Sequence, residues 1–122
     1  MVIDASRARK VLAGIRLVNG GLALVAPQFL LRRLGTDPDR DPSGIYPFRM
    51  FGIRTILIGV ELLAADDASR RRLTRLAILI HASDTVSAVV SGIRGDLPRR
   101  AAVTTALISS GNTTLAILAA RD

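Results

Sequence analysis

Cysteine and tryptophan are absent from the 122 residues, lysine occurs only as Lys10, and aromatic residues make up 3% of the chain. Without cysteine there is no disulfide framework and no thiolate metal site. The shortage of aromatic rings removes the stacking platforms that bind single-stranded nucleic acid. The arginines lie mainly between apolar segments, so we expect no nucleic-acid partner. An anionic lipid surface is the simpler partner for the net charge of +7.

A polar helix face at the 3.6-residue period is also missing, although a soluble bundle would need one on its outside. Four apolar segments cover about residues 7–26, 45–65, 72–93 and 101–120, and the last contains no charged residue. Each segment is close to the roughly 20 residues that cross the hydrocarbon core of a bilayer. We therefore predict an all-α fold: one domain over residues 1–122, formed as a four-transmembrane-helix bundle in a lipid bilayer.

The proline and glycine residues between the first two segments predict one further helix. Pro27 suits the first turn of a helix and Gly35 the position just past its end, so residues 27–34 are expected to form a short interfacial helix after helix 1. A single helix kinked at Pro27 is the alternative. Residues 35–44 (GTDPDRDPSG) have the composition of a turn.

The charged N-terminus resembles the start of a signal peptide, but no clear cleavage site follows, so we expect a retained first helix. We expect a multi-pass protein of the plasma (inner) membrane. Lysine and arginine number eight on the side of the termini and six on the other side, which favours cytoplasmic termini.

Several polar side chains fall inside the apolar segments, where one charge at the bilayer centre costs about 2.5–3.5 kcal/mol. They are Arg16, Asn19, Arg49, Arg54, Glu61, His81, Asp84 and Asn112. Depths counted along each helix predict that Arg54 pairs with Asp84 and Arg16 with Glu61. Arg49, nearer an interface, is expected to extend its charge towards the headgroups.

These residues predict a polar pocket that binds or converts a small lipophilic molecule by acid/base chemistry, of the isomerase, epoxide-opening or cyclase type. Asp84 or Glu61 would act as the acid/base, His81 as a proton shuttle, and Arg54 or Arg16 as the anchor for an oxygen or anion. Together with Arg16, the amides of Asn19 and Asn112 would bind the ligand. We expect no cofactor and no metal, since one histidine cannot form a usual zinc site.

Two other functions fit the same residues. A small proton-coupled transporter would use Glu61 and Asp84 as proton sites and would act as a homo-oligomer. A non-catalytic accessory subunit would use the buried charges only to fix helix register. Whether the chain is an enzyme stays open at this stage.

Three stretches of the chain are typical of a known protein family. They are residues 51–59 (FGIRTILIG), residues 20–27 followed by Leu34 and Gly35, and Asp84 in the third segment. The chain resembles small bacterial, often actinobacterial, integral membrane proteins of unknown function that are loosely DoxX-like. The resemblance implies four transmembrane helices, with Arg54 and Asp84 at the family's arginine and acid positions. It implies no established activity.

Overall fold

A computed structural model describes residues 3–64 and 66–121, and these residues fold as helices without a strand. The helices are α1 (Ala5–Val25), α2 (Pro27–Arg33), α3 (Ile45–Ala64), α4 (Asp67–Arg94) and α5 (Arg99–Ala119), with a short 3-10 turn at Pro42–Gly44 before α3. The all-α prediction is confirmed, and the four long helices match the four apolar segments. The predicted end of the second segment at Ala65 lies outside the described residues, as do positions 1, 2 and 122 of the predicted domain.

Side-chain caps set the starts of two helices. The carboxylate of Asp4 accepts a hydrogen bond from the Arg7 backbone N–H at 2.8 Å, and Asp66 accepts one from Ser69 at 2.8 Å. Such caps satisfy backbone donors that have no partner within the helix. Because Asp66 caps it, α4 begins five residues before the predicted start at residue 72. It ends at Arg94, and the next residue, Gly95, has a φ of +79°, a left-handed conformation that glycine adopts without strain.

The chain turns sharply between α1 and α2. The two helices meet at Ala26 with an angle of 105°, and Pro27 takes the first position of α2, where its missing N–H costs no hydrogen bond. The expectation of a separate short helix is therefore correct, and the alternative of one kinked helix is not.

The long helices pack as two pairs that are joined through one interface. α1 lies along α3, α4 lies along α5, and α1 also contacts α5, whereas α3 and α4 barely touch. Glycines bring α1 and α3 together: a Cβ atom placed on Gly52 would lie 2.7 Å from the Gly20 carbonyl oxygen. The α2–α3 and α4–α5 loops meet at one end of the bundle, where Gly35 lies against Pro98.

The size distribution of the side chains is reversed relative to a soluble bundle. The buried apolar positions are mostly alanines, and Leu12 and Leu62 are the main large side chains enclosed with them. All four long helices expose large apolar residues, such as Val18, Leu79 and Leu107. Small residues inside and large ones outside are typical of helices that pack within lipid.

In the part of the chain that the structure describes, two helices, α4 and α5, are long and apolar enough to cross a membrane, and the bent pair α1–α2 makes a third if it counts as one span. These helices are compatible with a lipid bilayer environment.

Candidate functional site

An open cavity of about 720 Å³ lies where α3 and α4 diverge, in the size range of about 300–1,000 Å³ that holds small ligands. It reaches from the middle of the long helices to the end where Leu34 and Leu97 lie. Every helix contributes to its wall. The apolar part includes Ile15, Leu30, Leu34, Phe48, Phe51, Ile80, Leu97 and Ile108.

Arg16 supplies the positive charge at the inner part of this cavity. It lies on the same face of α1 as Leu12, Gly20 and Ala23, and this face is turned into the bundle. Only 4% of the residue is exposed. Within the described ranges, its Nε and Nη2 atoms have no hydrogen-bond acceptor. Leaving a buried donor without an acceptor costs about 1–3 kcal/mol, and more for a charged group, so Arg16 is poised to bind an oxygen.

His81 and Asp84 face Arg16 from α4, one helical turn apart. His81 is buried, and its Nδ1 atom lies 3.9 Å from the Asp84 Oδ2 atom, too far for a hydrogen bond. His81 Nε2 has no partner among the residues described. The Arg16 guanidinium is close enough for its charge to act on both side chains. One cation, one imidazole and one carboxylate thus share the cavity wall.

Amide and hydroxyl groups complete the polar part of the wall. Asn19 lies one helical turn beyond Arg16 on α1, and the buried Ser109 and Asn112 lie one turn apart on α5. Thr55 on α3 is buried as well. The structure therefore brings together five of the residues predicted from the sequence: Arg16, Asn19, His81, Asp84 and Asn112.

The structure does not bring Arg54 and Glu61 to this cavity. Both are exposed on the outer face of α3, as is Arg49. Neither predicted ion pair, Arg54 with Asp84 or Arg16 with Glu61, forms among the described residues.

The reason for this difference is the rotation of α3. Its face towards α1 carries Gly52, Thr55, Gly59 and Leu62. At 3.6 residues per turn, Arg54 and Glu61 lie roughly a third of a turn from the centre of that face. The two ion pairs were predicted only from the depth of each residue along its helix. Rotation about the helix axis also decides which side chains can meet.

Among the cavity-lining residues that the sequence reasoning missed are Thr55, Arg33 and Arg100. Thr55 could have been found, because it shares a helix face with Gly52 and Gly59, which mark the close contact with α1. Arg33 and Arg100 are exposed at the loop end. Before folding is known, they look like ordinary charges that flank an apolar segment.

Within residues 3–64 and 66–121, no group of three His, Cys, Asp or Glu side chains is placed to hold a metal ion. Comparison of the chain with protein-family models, with curated proteins and with solved structures gave no match.

Proposed function

We propose that the chain is a four-span protein of the plasma (inner) membrane, with α1, α3, α4 and α5 as spans and α2 at the interface. In addition to α4 and α5, α1 and α3 are long enough to cross. In α1 and α3 the charged residues, four and three respectively, extend from near the start to the middle of the helix or beyond, whereas most of those in α4 lie near its start. Apolar outer faces on all four helices support this arrangement. Membership of the DoxX-like family, suggested by the sequence motifs, is part of the proposal.

The proposed orientation places both termini in the cytoplasm. Arg9 of α1, Arg70 of α4 and Ala119 of α5 line one small pocket, so the starts of α1 and α4 and the end of α5 share one side of the bundle. That side carries eight lysine and arginine residues against six on the other, which is the direction of the positive-inside rule.

The proposed activity is binding, and conversion by acid/base chemistry, of a small lipophilic molecule with an oxygen-bearing end, such as a carboxylate or carbonyl group. The observation that carries this proposal is the pair of buried, unpartnered Arg16 nitrogens in a largely apolar cavity. A ligand oxygen would supply the acceptors for Arg16, and the apolar wall would hold the rest of the molecule.

The chemistry follows from the placement of Asp84 beside His81. The Asp84 carboxylate can take a proton from one carbon of a bound molecule and pass it to the His81 imidazole, which returns it at another carbon; this isomerises the molecule and restores both side chains without a cofactor. Arg16 would stabilise the negative charge that develops on the ligand oxygen. Since Arg54 and Glu61 lie on the outer face of α3, they have no role in this mechanism.

Mass spectrometry of lipids that co-purify with the protein tests the binding proposal. Wild type is expected to retain a lipophilic species that Arg16→Gln loses. Arg49→Gln is the matched control, because it removes a guanidinium from an exposed position outside the cavity and should retain the species. Equal retention in all three proteins would refute the proposal.

Asp84→Asn separates binding from catalysis. This variant should retain the ligand but accumulate it unconverted, because an amide cannot take the proton. If wild type and Asp84→Asn yield the same bound species and products, the chain is a binding protein and not an enzyme.

We propose that a second copy of the chain packs against the outer face of α3. In a four-span protein, Arg54 and Glu61 on this face would otherwise meet hydrocarbon, at a cost of about 2.5–3.5 kcal/mol for each charge near the centre. The two residues lie two turns apart on one side of α3 and have opposite charges. Two copies of the same face can therefore pair unlike charges, which one copy cannot.

Disulfide cross-linking tests this homodimer, because the chain has no native cysteine. Leu57 lies between Arg54 and Glu61 on the exposed side of α3. Leu57→Cys is expected to cross-link two copies in the membrane, whereas Leu107→Cys on the exposed face of α5 should not. Equal cross-linking at both positions, or none at Leu57, would contradict a specific interface on α3.

A further inference from the structure

A second, smaller pocket lies at the end of the bundle where α1 and α4 begin and α5 ends. Its volume is about 190 Å³, and α1, α4 and α5 each contribute to it. The lining residues are Arg9, Asp67, Arg70, Arg71, Thr74 and Ala119. It is separate from the large cavity, with which it shares no lining residue.

The pocket concentrates positive charge that the described residues do not neutralise. Three guanidinium groups line it together with one carboxylate, and Asp67 pairs with Arg70 alone. In the described part of the chain, no other carboxylate forms an ion pair with Arg9 or Arg71. A pocket with this balance favours an anion.

Its buried nitrogens point to the same conclusion. The Nε atoms of Arg9 and Arg70 are buried and have no hydrogen-bond partner in the residues described. The Thr74 hydroxyl donates to the Arg70 and Arg71 carbonyl oxygens, both at 3.0 Å, and does not bond to either Nε atom. An anion with several oxygens would satisfy both Nε donors at once.

We propose that this pocket binds a phosphate group. Phosphate has the charge and the several acceptor oxygens that clustered guanidinium groups recognise. The pocket lies at the level of the first turn of α4, which is the headgroup level if α4 spans a membrane. The phosphate comes either from an anionic phospholipid headgroup or from free phosphate in solution. Neither source depends on a ligand in the large cavity.

Binding measurements on the purified full chain in a neutral detergent test the site. The probes are phosphatidylglycerol, detected by native mass spectrometry, and inorganic phosphate, detected by isothermal titration calorimetry. Arg9→Gln and Arg71→Gln are each expected to weaken binding about tenfold, since each removes a charged donor. Arg75→Gln is the matched control: it removes a positive charge one helical turn beyond Arg71, outside the pocket lining, and should leave binding unchanged.

The two probes distinguish the sources of the phosphate. Retained phosphatidylglycerol that inorganic phosphate does not displace assigns the site to a lipid headgroup, and saturable binding of inorganic phosphate without lipid retention assigns it to a free ion. Arg71 is exposed, so Arg71→Gln should fold as wild type does and its loss of binding cannot be attributed to unfolding. The proposal is overturned if wild type binds neither probe, or if Arg75→Gln weakens binding as much as Arg71→Gln does.

Discussion

The close contact between α1 and α3 at Gly52 makes a quantitative prediction. A Cβ atom on Gly52 would lie 2.7 Å from the Gly20 carbonyl oxygen and 2.7 Å from the Leu24 backbone nitrogen, whereas ordinary contact begins at 3.4 Å. Both neighbours are backbone atoms, so they cannot rotate away, and the two helices must separate. The clash in Gly52→Ala is therefore expected to contribute a destabilising cost of about 1–3 kcal/mol through overpacking.

Gly21→Ala is the matched control for this clash. A Cβ atom on Gly21 meets nothing within 4 Å. Both substitutions gain similar helix propensity, about 1 kcal/mol, so the difference between them isolates the clash. Unfolding in mixed micelles with increasing SDS, followed by circular dichroism, should show Gly52→Ala less stable than Gly21→Ala by about 1–3 kcal/mol. Equal stability would refute the α1–α3 contact.

Three further predictions concern single positions. Leu62→Ala, at a fully buried residue, should lose about 2–5 kcal/mol in the same unfolding assay, while Leu63→Ala, which is 49% exposed, should change stability little. Gly95→Ala should cost about 1–2 kcal/mol through its φ of +79° alone, because nothing surrounds the new Cβ atom, and a cost near zero would argue against the left-handed end of α4. The hydrogen bond from the Ser69 backbone N–H lowers the pKa of Asp66, so its stabilising effect is present above the ordinary pKa and is lost as pH falls through the lowered value. A pH titration of stability should therefore lose an acid-limb step in Asp66→Ala, and an unchanged acid limb would contradict the cap.

The sequence predicted the helices well because the length and hydropathy of a segment, and the prolines and glycines that bound it, are local properties of the sequence. Pro27 separated α2 from α1, and the glycine at 95 marks the end of α4. The predicted start of α4 was too late, because the arginine run from 70 to 72 was interpreted as part of the connection between two helices. Asp66 followed by Ser69 was the cap signal that places the helix start correctly.

The site was only partly predictable because the rotation of α3 about its axis and the order of the neighbouring helices had to be known. The structure buries Arg16 and His81, whereas Asp84 is half exposed on the wall of the open cavity. The partners of Arg54 and Glu61 were assigned from depth, without the rotation that Gly52 and Gly59 impose on α3. In the structure, α1 lies between α3 and α5, and α3 and α4 barely touch. This order cannot be derived from the sequence, because all four long helices carry small residues that allow close packing.

Photo-labelling in membranes with a diazirine-bearing fatty acid tests the central claim most directly. On α4 and α5, a residue that lines the cavity directly follows one that faces outwards, so each outward residue is the internal control for its neighbour. Ile80 and Ile108 line the cavity, whereas Leu79 and Leu107 are about two-thirds exposed (66% and 67%) and do not line it.

A probe held by Arg16 should label Ile80 and Ile108 saturably, and Arg16→Gln should abolish this labelling while leaving that of Leu79 and Leu107 unchanged. Labelling confined to Leu79 and Leu107, or cavity labelling that persists in Arg16→Gln, would contradict a ligand-binding cavity anchored by Arg16.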